Sequence, residues 1–383
     1  MTNSSIAKIQ AGYEAEIRRN REAVTAQQLP LSYDAITDRW LTAVLCAKAP
    51  GAMVTAHRLG PTDNGSSNRR KIYLEYNAAG RAASLPKAVF CKAAHDLPNR
   101  IILGLCSSAL GEIRFYNSIR PLLDIEAPVG YFALQDDESF NSMVILGDIS
   151  DTVHSFCDHK TDMTRARAES QMRLLAAVHG RCFSNTALKE RVAACPTFAA
   201  FFELTLGFGL REGSEAGFQD GVDVIPSRLF KRSAEIWPAT VAAIEQLDRL
   251  PNTLAHGDVH LKNWYIAGNG QMGLSDWQCA ARAHWGRDFA YAMSTALTIE
   301  NRRAWEHDLL KYYLEELARN GGAVVDFNTA WNIYRRQLIS ALTWWTITLH
   351  PAPGLPDMQP RDVTLEFVRR ISTAMNDVDS LDA

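Results

Sequence analysis

A chain of 383 residues, 47% hydrophobic and 22% charged, is long enough for two domains of roughly 150 residues and has the apolar content of a globule with a core. A formal net charge of −3 without a long basic run argues against non-specific nucleic-acid binding and gives no hint of a membrane-surface role. The cysteines (Cys46, Cys91, Cys106, Cys157, Cys182, Cys195 and Cys279) are odd in number and form no C-x-x-C, so they suggest neither a disulfide framework nor a zinc knuckle and fit a reducing compartment.

Residues 1–34 read as a polar, partly helical leader without the apolar run of a secretory signal. "SYDAITDRWLTAVL" then predicts a helix, with Asp34 or Thr37 as its cap. From Met53 to Leu146 the pattern turns to strands. "KIYLEY" alternates, placing Ile72, Leu74 and Tyr76 on one side, while "KAVFCKAA" and "SMVILGD" are apolar runs of buried-strand length. One helical segment interrupts them: in "SSALGEIRFYNSIRPLL", Leu110, Ile113 and Tyr116 recur at helical spacing, and Phe115, Ile119 and Leu122 extend the stripe. Pro121 and Pro128 close it off. After Ser150 the periodicity is mostly helical, as in "RAESQMRLLAAVHGRC", "RLFKRSAEIWPATVAAIEQL" and "RRAWEHDLLKYYLEELARNGG", the last with glycines where a C-cap belongs. "LISALTWWTITL", the most apolar helical stretch, is shorter than the roughly 18 residues that span a bilayer, and it runs on into a proline-punctuated loop. The expected layout is a leader (1–34), a small strand-rich lobe (35–148) and a larger helical lobe (149–383).

The chemistry is concentrated in residues 254–278, "LAHGDVHLKNWYIAGNGQMGLSDWQ". His256, Asp258 and Asn263 follow the spacing H-x-D-x-x-x-x-N, and Asp276 comes after two short predicted strands around a Gly-Asn-Gly turn. A hairpin returns its ends to one place, so Asn263 and Asp276 are expected to be neighbours. Phosphoryl transfer needs such a set: a carboxylate to accept or orient the hydroxyl proton, and an amide oxygen and a carboxylate to hold Mg²⁺. Mg²⁺ prefers hard oxygen ligands. On this reading Asp258 is the catalytic base and Asn263 and Asp276 are the metal ligands. A rival reading takes His256, Asp258 and His260 as the H-x-D-x-H zinc run of a hydrolase. No supporting His/Asp cluster appears elsewhere, and two histidines bonded to the loop backbone are the simpler reading.

The arrangement resembles the aminoglycoside phosphotransferase, choline kinase and ecdysteroid-kinase-like (CHK kinase-like) branch of the protein-kinase-like superfamily, whose loop reads H-G-D-x-H-x-x-N. "HGDVHLKN" matches every fixed position, and "SDWQ" stands where the metal-binding aspartate motif falls. The resemblance extends from about Asp38 to the end of the chain. It implies an α+β, protein-kinase-like two-lobed fold, with an antiparallel β-sheet plus one helix in the N-lobe and a mainly α-helical C-lobe. It also implies ATP- and Mg²⁺-dependent transfer of the γ-phosphate to a hydroxyl of a small organic acceptor.

Further positions carry over from the resemblance. Lys92, at the end of "VFCK", is where the family places its ATP-phosphate lysine, and Glu112 on the next helix would hold it. The backbone of Leu146, Gly147 and Asp148 would meet adenine, and Asp288 in "GRDFAYAM" would brace the catalytic loop. No G-x-G-x-x-G precedes Lys92, so "DNGSSNRR", with Gly65, Ser66 and Ser67, is the candidate phosphate loop. Trp277 and Gln278 replace the Phe-Gly of a protein kinase and no activation segment follows, which favours a small-molecule acceptor.

Plainer alternatives stand beside these. Lys87, or a solvent-reaching strand end, competes with Lys92, and an ordinary exposed helix glutamate with Glu112. His179 reads as a satisfied core residue and Cys279 as packing. Trp331, Tyr334, Trp344 and Trp345 are either an acceptor pocket or core. The alternatives for the whole are a catalytically silent nucleotide- or ligand-binding pseudokinase and a zinc-dependent hydrolase. The expected setting is cytoplasmic, without nucleic acid, membrane or an obligate protein partner.

Overall fold

Period-two patterning sets the sheet of the first half. The strands β1 (Val54–Asn64), β2 (Asn68–Tyr76), β3 (Ala88–Ala93), β4 (Gly130–Gln135) and β5 (Ser142–Gly147) pair antiparallel in the order β1-β2-β3-β5-β4. The computed structural model describes residues 2–105, 108–207, 209–351 and 358–383. Cys106 and most of the expected proline-punctuated loop, 352–357, lie outside the described residues. The chain divides into two compact units, Met1–Pro121 with Pro128–Asp151, and Leu122–Ala127 with Thr152–Ala383.

In the first unit the pleat sorts side chains by face. Ile72, Leu74, Val89, Cys91, Met143 and Ile145 are buried in one core with Trp40 and Leu41, which come from the helix Asp38–Leu45, capped by Thr37 accepting from Trp40 N at 3.2 Å. The opposite face carries Arg69, Lys92 and Val144 in one row and Lys71, Phe90 and Leu146 in the next.

The segment read as one helix after residue 107 is more irregular. Ser108–Arg114 is α-helical, Phe115–Ile119 is a π-helical turn, and Arg120–Leu122 ends in a 3₁₀ turn. Phe115 and Tyr116 are both buried at the start of the wide turn, and Leu122, expected in the stripe, is exposed. A further helix, Leu97–Leu105, packs on the N-terminal helix Thr2–Arg19.

The second unit is mainly helical. Its longer helices include Arg165–Ser184, Ser233–Arg249, Gly286–Ala296, Ile299–Arg319, Phe327–Leu349 and Arg361–Asp377. Thr164, Thr298 and Asp326 cap three of them by accepting a backbone N–H with their side chains. The predicted C-terminal signal of the "RRAWEHDLLKYYLEELARNGG" helix is realised, with Gly321 at φ +91°. Two small sheets complete the unit: β6 (Val153–Phe156), β8 (Trp264–Ala267) and β9 (Met272–Leu274) in the order β6-β8-β9, and β7 (Thr253–Ala255) paired with β10 (Ala281–Ala283). Both are antiparallel. The fold is the α+β, protein-kinase-like one that the resemblance implied. Among the described residues no helix is long and apolar enough to cross a membrane.

Candidate active site

The loop His256–Asn263 leaves β7 and is held from below by one carboxylate. Asp288, fully buried in the first turn of Gly286–Ala296, accepts the N–H of His256 on Oδ2 (2.6 Å) and of Gly257 on Oδ1 (2.9 Å). His179 Nε2 lies 3.3 Å from Asp288 Oδ2 and must donate, because the carboxylate only accepts; Nδ1 then accepts from Tyr313 O–H at 2.7 Å. Burial alone would raise the Asp288 pKa, but His179 and the Gly257 N–H bring it below the ordinary value. Gly257 is required where it stands: its φ is +82°, and an added Cβ would lie 2.5 Å from Cys279 O. The buried Arg287 donates to Gly257 O (3.1 Å) and closes the underside of the loop.

Asp258 points away from this brace. Its Oδ1 accepts from Tyr291 O–H (3.0 Å), its Oδ2 accepts from Asn263 Nδ2 (3.3 Å), and His260 Nε2 lies 3.5 Å from Oδ2. The side chain keeps 24% of its exposure. Burial pushes the carboxyl up, but His260 and the Tyr291 hydroxyl outweigh it and hold Asp258 well below the usual carboxylate range. Such a group is a hydrogen-bond acceptor at any physiological pH and a weak base.

The hairpin expected from "YIAGNGQMGL" is present, with Trp264 paired to Leu274 and Ile266 to Met272. It brings the two ends together: Ser275 donates to Asn263 O through both N–H and hydroxyl, each at 2.9 Å. Asn263 Nδ2 also donates to Asp258 O at 2.7 Å. That fixes the amide's orientation, and among the described residues no donor reaches its Oδ1. Asp276 follows Ser275 with φ +61°, a left-handed conformation uncommon outside glycine and suited to Asn or Asp. Strained backbone of this kind clusters at functional sites.

The two histidines separate. His256 is buried and bonds the loop as expected, with Nε2–H donating to Ser275 O (2.9 Å) and Nδ1 accepting from Asp258 N (3.2 Å). Burial lowers its pKa, so the ring stays neutral. His260 does not bond the loop backbone through its ring. It faces Asp258 and packs against Trp345 (5.3 Å, edge to face), because Trp345, Phe367 and Tyr291 enclose it. Among the described residues no group of three or more His, Cys, Asp or Glu side chains is arranged to hold a metal, so the zinc reading has no supporting cluster. An Mg²⁺ site needs less, since Mg²⁺ keeps several waters and is bound through one or two protein oxygens plus substrate phosphates. The Asn263 amide oxygen and the Asp276 carboxylate fit that donor set.

In the first unit, Lys92 Nζ contacts both Glu112 oxygens at 2.9 Å, with the two side chains 10% and 5% exposed. Glu112 is thus not an exposed helix glutamate, and Lys92, not Lys87, has the carboxylate partner. Gly65, Ser66 and Ser67 form the β1–β2 turn: Gly65 N donates to Ser67 O (3.0 Å), and Asn99 Nδ2 donates to Gly65 O (2.8 Å). Around Leu146 the structure narrows what a nucleotide can reach. Gly147 N–H is committed to Val129 O (2.8 Å), and the Asp148 carboxylate is taken by Lys71 and by the Ser150 N–H and hydroxyl.

The four C-terminal aromatics do not act as one group. Tyr334 is buried and donates to Glu306 (2.8 Å), and Trp331 packs tilted against His307 with ring centroids 4.1 Å apart. Trp344 packs on Phe198 and Phe201, and Trp345 reaches His260. Tyr291, the donor to Asp258, is a site residue that the motif spacing does not reveal. It stands one helical turn after Asp288, and that spacing was the available signal.

Residues 187–334 match the family model described as "Phosphotransferase enzyme family". No curated protein sequence matches the chain. Among solved structures, a Ralstonia eutropha protein assigned as an aminoglycoside phosphotransferase is similar with a TM-score of 0.51 at 14% identity, over 88% of this chain and 96% of that one. Choline kinase from Cryptosporidium parvum gives a TM-score of 0.49 at 11% identity, over 88% and 93%. The first of these likenesses establishes a shared fold. The stretch that matches this family model, residues 187–334, carries Asp258, Asn263, Asp276 and Asp288.

Proposed function

We propose that this protein transfers the γ-phosphate of ATP, with Mg²⁺, to a hydroxyl of a small organic acceptor. The observation that carries the reading is the loop geometry: Asp258 and Asn263 are joined by hydrogen bonds, and the β8–β9 hairpin returns Ser275, the neighbour of Asp276 in the chain, to hydrogen-bond Asn263. Asp258 accepts the hydrogen bond of the acceptor hydroxyl and sets the direction of its attack. Its depressed pKa suits that role, because a loose transition state transfers the proton late and asks little basicity of the acid. Asn263 and Asp276 hold the metal, which when bound neutralises charge on the phosphate oxygens. Lys92, fixed by Glu112, acts as a point charge on the phosphates. The Gly65–Ser67 turn closes over the phosphates, and the segment around Leu146 to Asp148 meets the base, with the Gly147 N–H and the Asp148 carboxylate excluded.

Release of ADP across a panel of hydroxylated metabolites tests the reading. With the acceptor found, Asp258→Ala lowers turnover by about 10²–10⁴-fold while ATP binding persists. Wild-type turnover in that variant would remove Asp258 from the chemistry.

A further inference from the structure

The face of the sheet that carries Lys92 bears a second cation to which the reading above gives no role. β2 and β3 are in register so that Arg69 stands directly opposite Lys92, and Asp63 of β1 stands opposite Arg69. Residues directly opposite in an antiparallel pair share a face, with Cβ atoms about 5 Å apart. The Arg69 side chain also reaches the β1–β2 turn, because a Cβ added at Gly65 would lie 3.0 Å from Arg69 Nη2. Lysine, guanidinium and turn are thus gathered at one corner of the sheet, and Asn99 ties the turn down there.

Like charges placed directly opposite weaken a sheet, and here each cation carries its own carboxylate, Glu112 on Lys92 and Asp63 on Arg69. The acid now holding Arg69 is easily exchanged. Asp63 takes two parallel contacts from Arg69, at Nε and Nη2, each 3.0 Å, but the two side chains are 36% and 61% exposed, so solvent screens the pair. A phosphate accepts the same two parallel N–H donors and brings more negative charge. Lys71, the third cation of this face, is unsuited to the task because Asp148 and Ser150 already hold it two residues further along β2.

We infer that Arg69 is a second phosphate-binding residue, which leaves Asp63 to grip the phosphate chain of the nucleoside triphosphate alongside Lys92 and beneath the Gly65 turn. The inference rests on the ATP reading and assigns that site a residue outside the motif.

Calorimetric titration of the full chain with Mg-ATP and, separately, with adenosine tests it. Arg69→Gln weakens Mg-ATP binding by about ten- to a hundredfold and leaves adenosine affinity within about twofold. The double variant Asp63→Asn/Arg69→Gln, which removes the whole ion pair, shows the same selective loss. Retained adenosine binding reports that both variants are folded. Wild-type Mg-ATP affinity in both variants, or parallel weakening of adenosine, overturns the role of Arg69 alone. A wild-type chain that binds neither ligand overturns the ATP reading and this inference together.

Discussion

At the scale of single residues, the site depends on which groups stay charged and which stay neutral. Asp258 and Asp288 are held as carboxylates by their neighbours, whereas burial keeps His256 neutral so that its Nδ1 can accept the Asp258 N–H. Two more buried histidines share that constraint: burial pushes His95 and His284 down to about 3. In the unfolded chain a histidine takes up its proton near pH 6.5, but when folded His95 and His284 refuse it until far lower pH, and His256 is shifted in the same direction. Between those limits the unfolded state binds more protons, so their contribution is intact above about pH 6.5 and is lost as pH falls. Thermal melts from pH 7.5 to 5 should show a falling midpoint, each fully neutral histidine removing about 1.4 kcal/mol per pH unit once well below 6.5. A flat midpoint over that range would contradict the buried neutral rings. The motif residues themselves were legible because their spacing lies along the chain. Arg69, Tyr291 and the His179–Tyr313 link were not, since strand register and helix packing make their contacts.

At the scale of elements, turn chemistry was readable and docking was not. "AGNGQ" announced the β8–β9 hairpin because glycines at a turn admit positive φ, as Gly270 does at +82°. The π-helical turn at Phe115–Ile119 has no such signature in the residue pattern. The N-terminal helix looked like a polar leader because its decisive contact is polar: Glu16 meets the fully buried Arg100 at 2.6 Å. Arg100 in turn donates to Ala94 O, His95 O and Ser139 O, just beyond the Lys92 end of β3. Glu16→Ala leaves that guanidinium buried without its carboxylate, a loss of about 3–5 kcal/mol when a buried pair is broken on one side. Urea unfolding of the full chain should register it. A change below about 1 kcal/mol, the worth of a surface pair, would mean that the helix is not latched by this contact.

At the scale of the whole molecule, the change from alternating to helical patterning after residue 150 was enough to read the fold class, because pleat and helix periods differ throughout. The acceptor stayed hidden: the aromatics offered as candidates divide between core packing and the neighbourhood of His260. The phosphotransfer reading therefore rests on the proposed metal ligands Asn263 and Asp276 beside Asp258, which can be tested without knowing the acceptor. ATP affinity, measured by calorimetry with and without Mg²⁺ on the wild type and on Asp276→Ala, does so most directly. Mg²⁺ should tighten ATP binding to the wild type by about tenfold or more, and Asp276→Ala should lose that gain while its Mg²⁺-free affinity is retained. The same Mg²⁺ gain in both proteins would contradict Asp276 as a metal ligand.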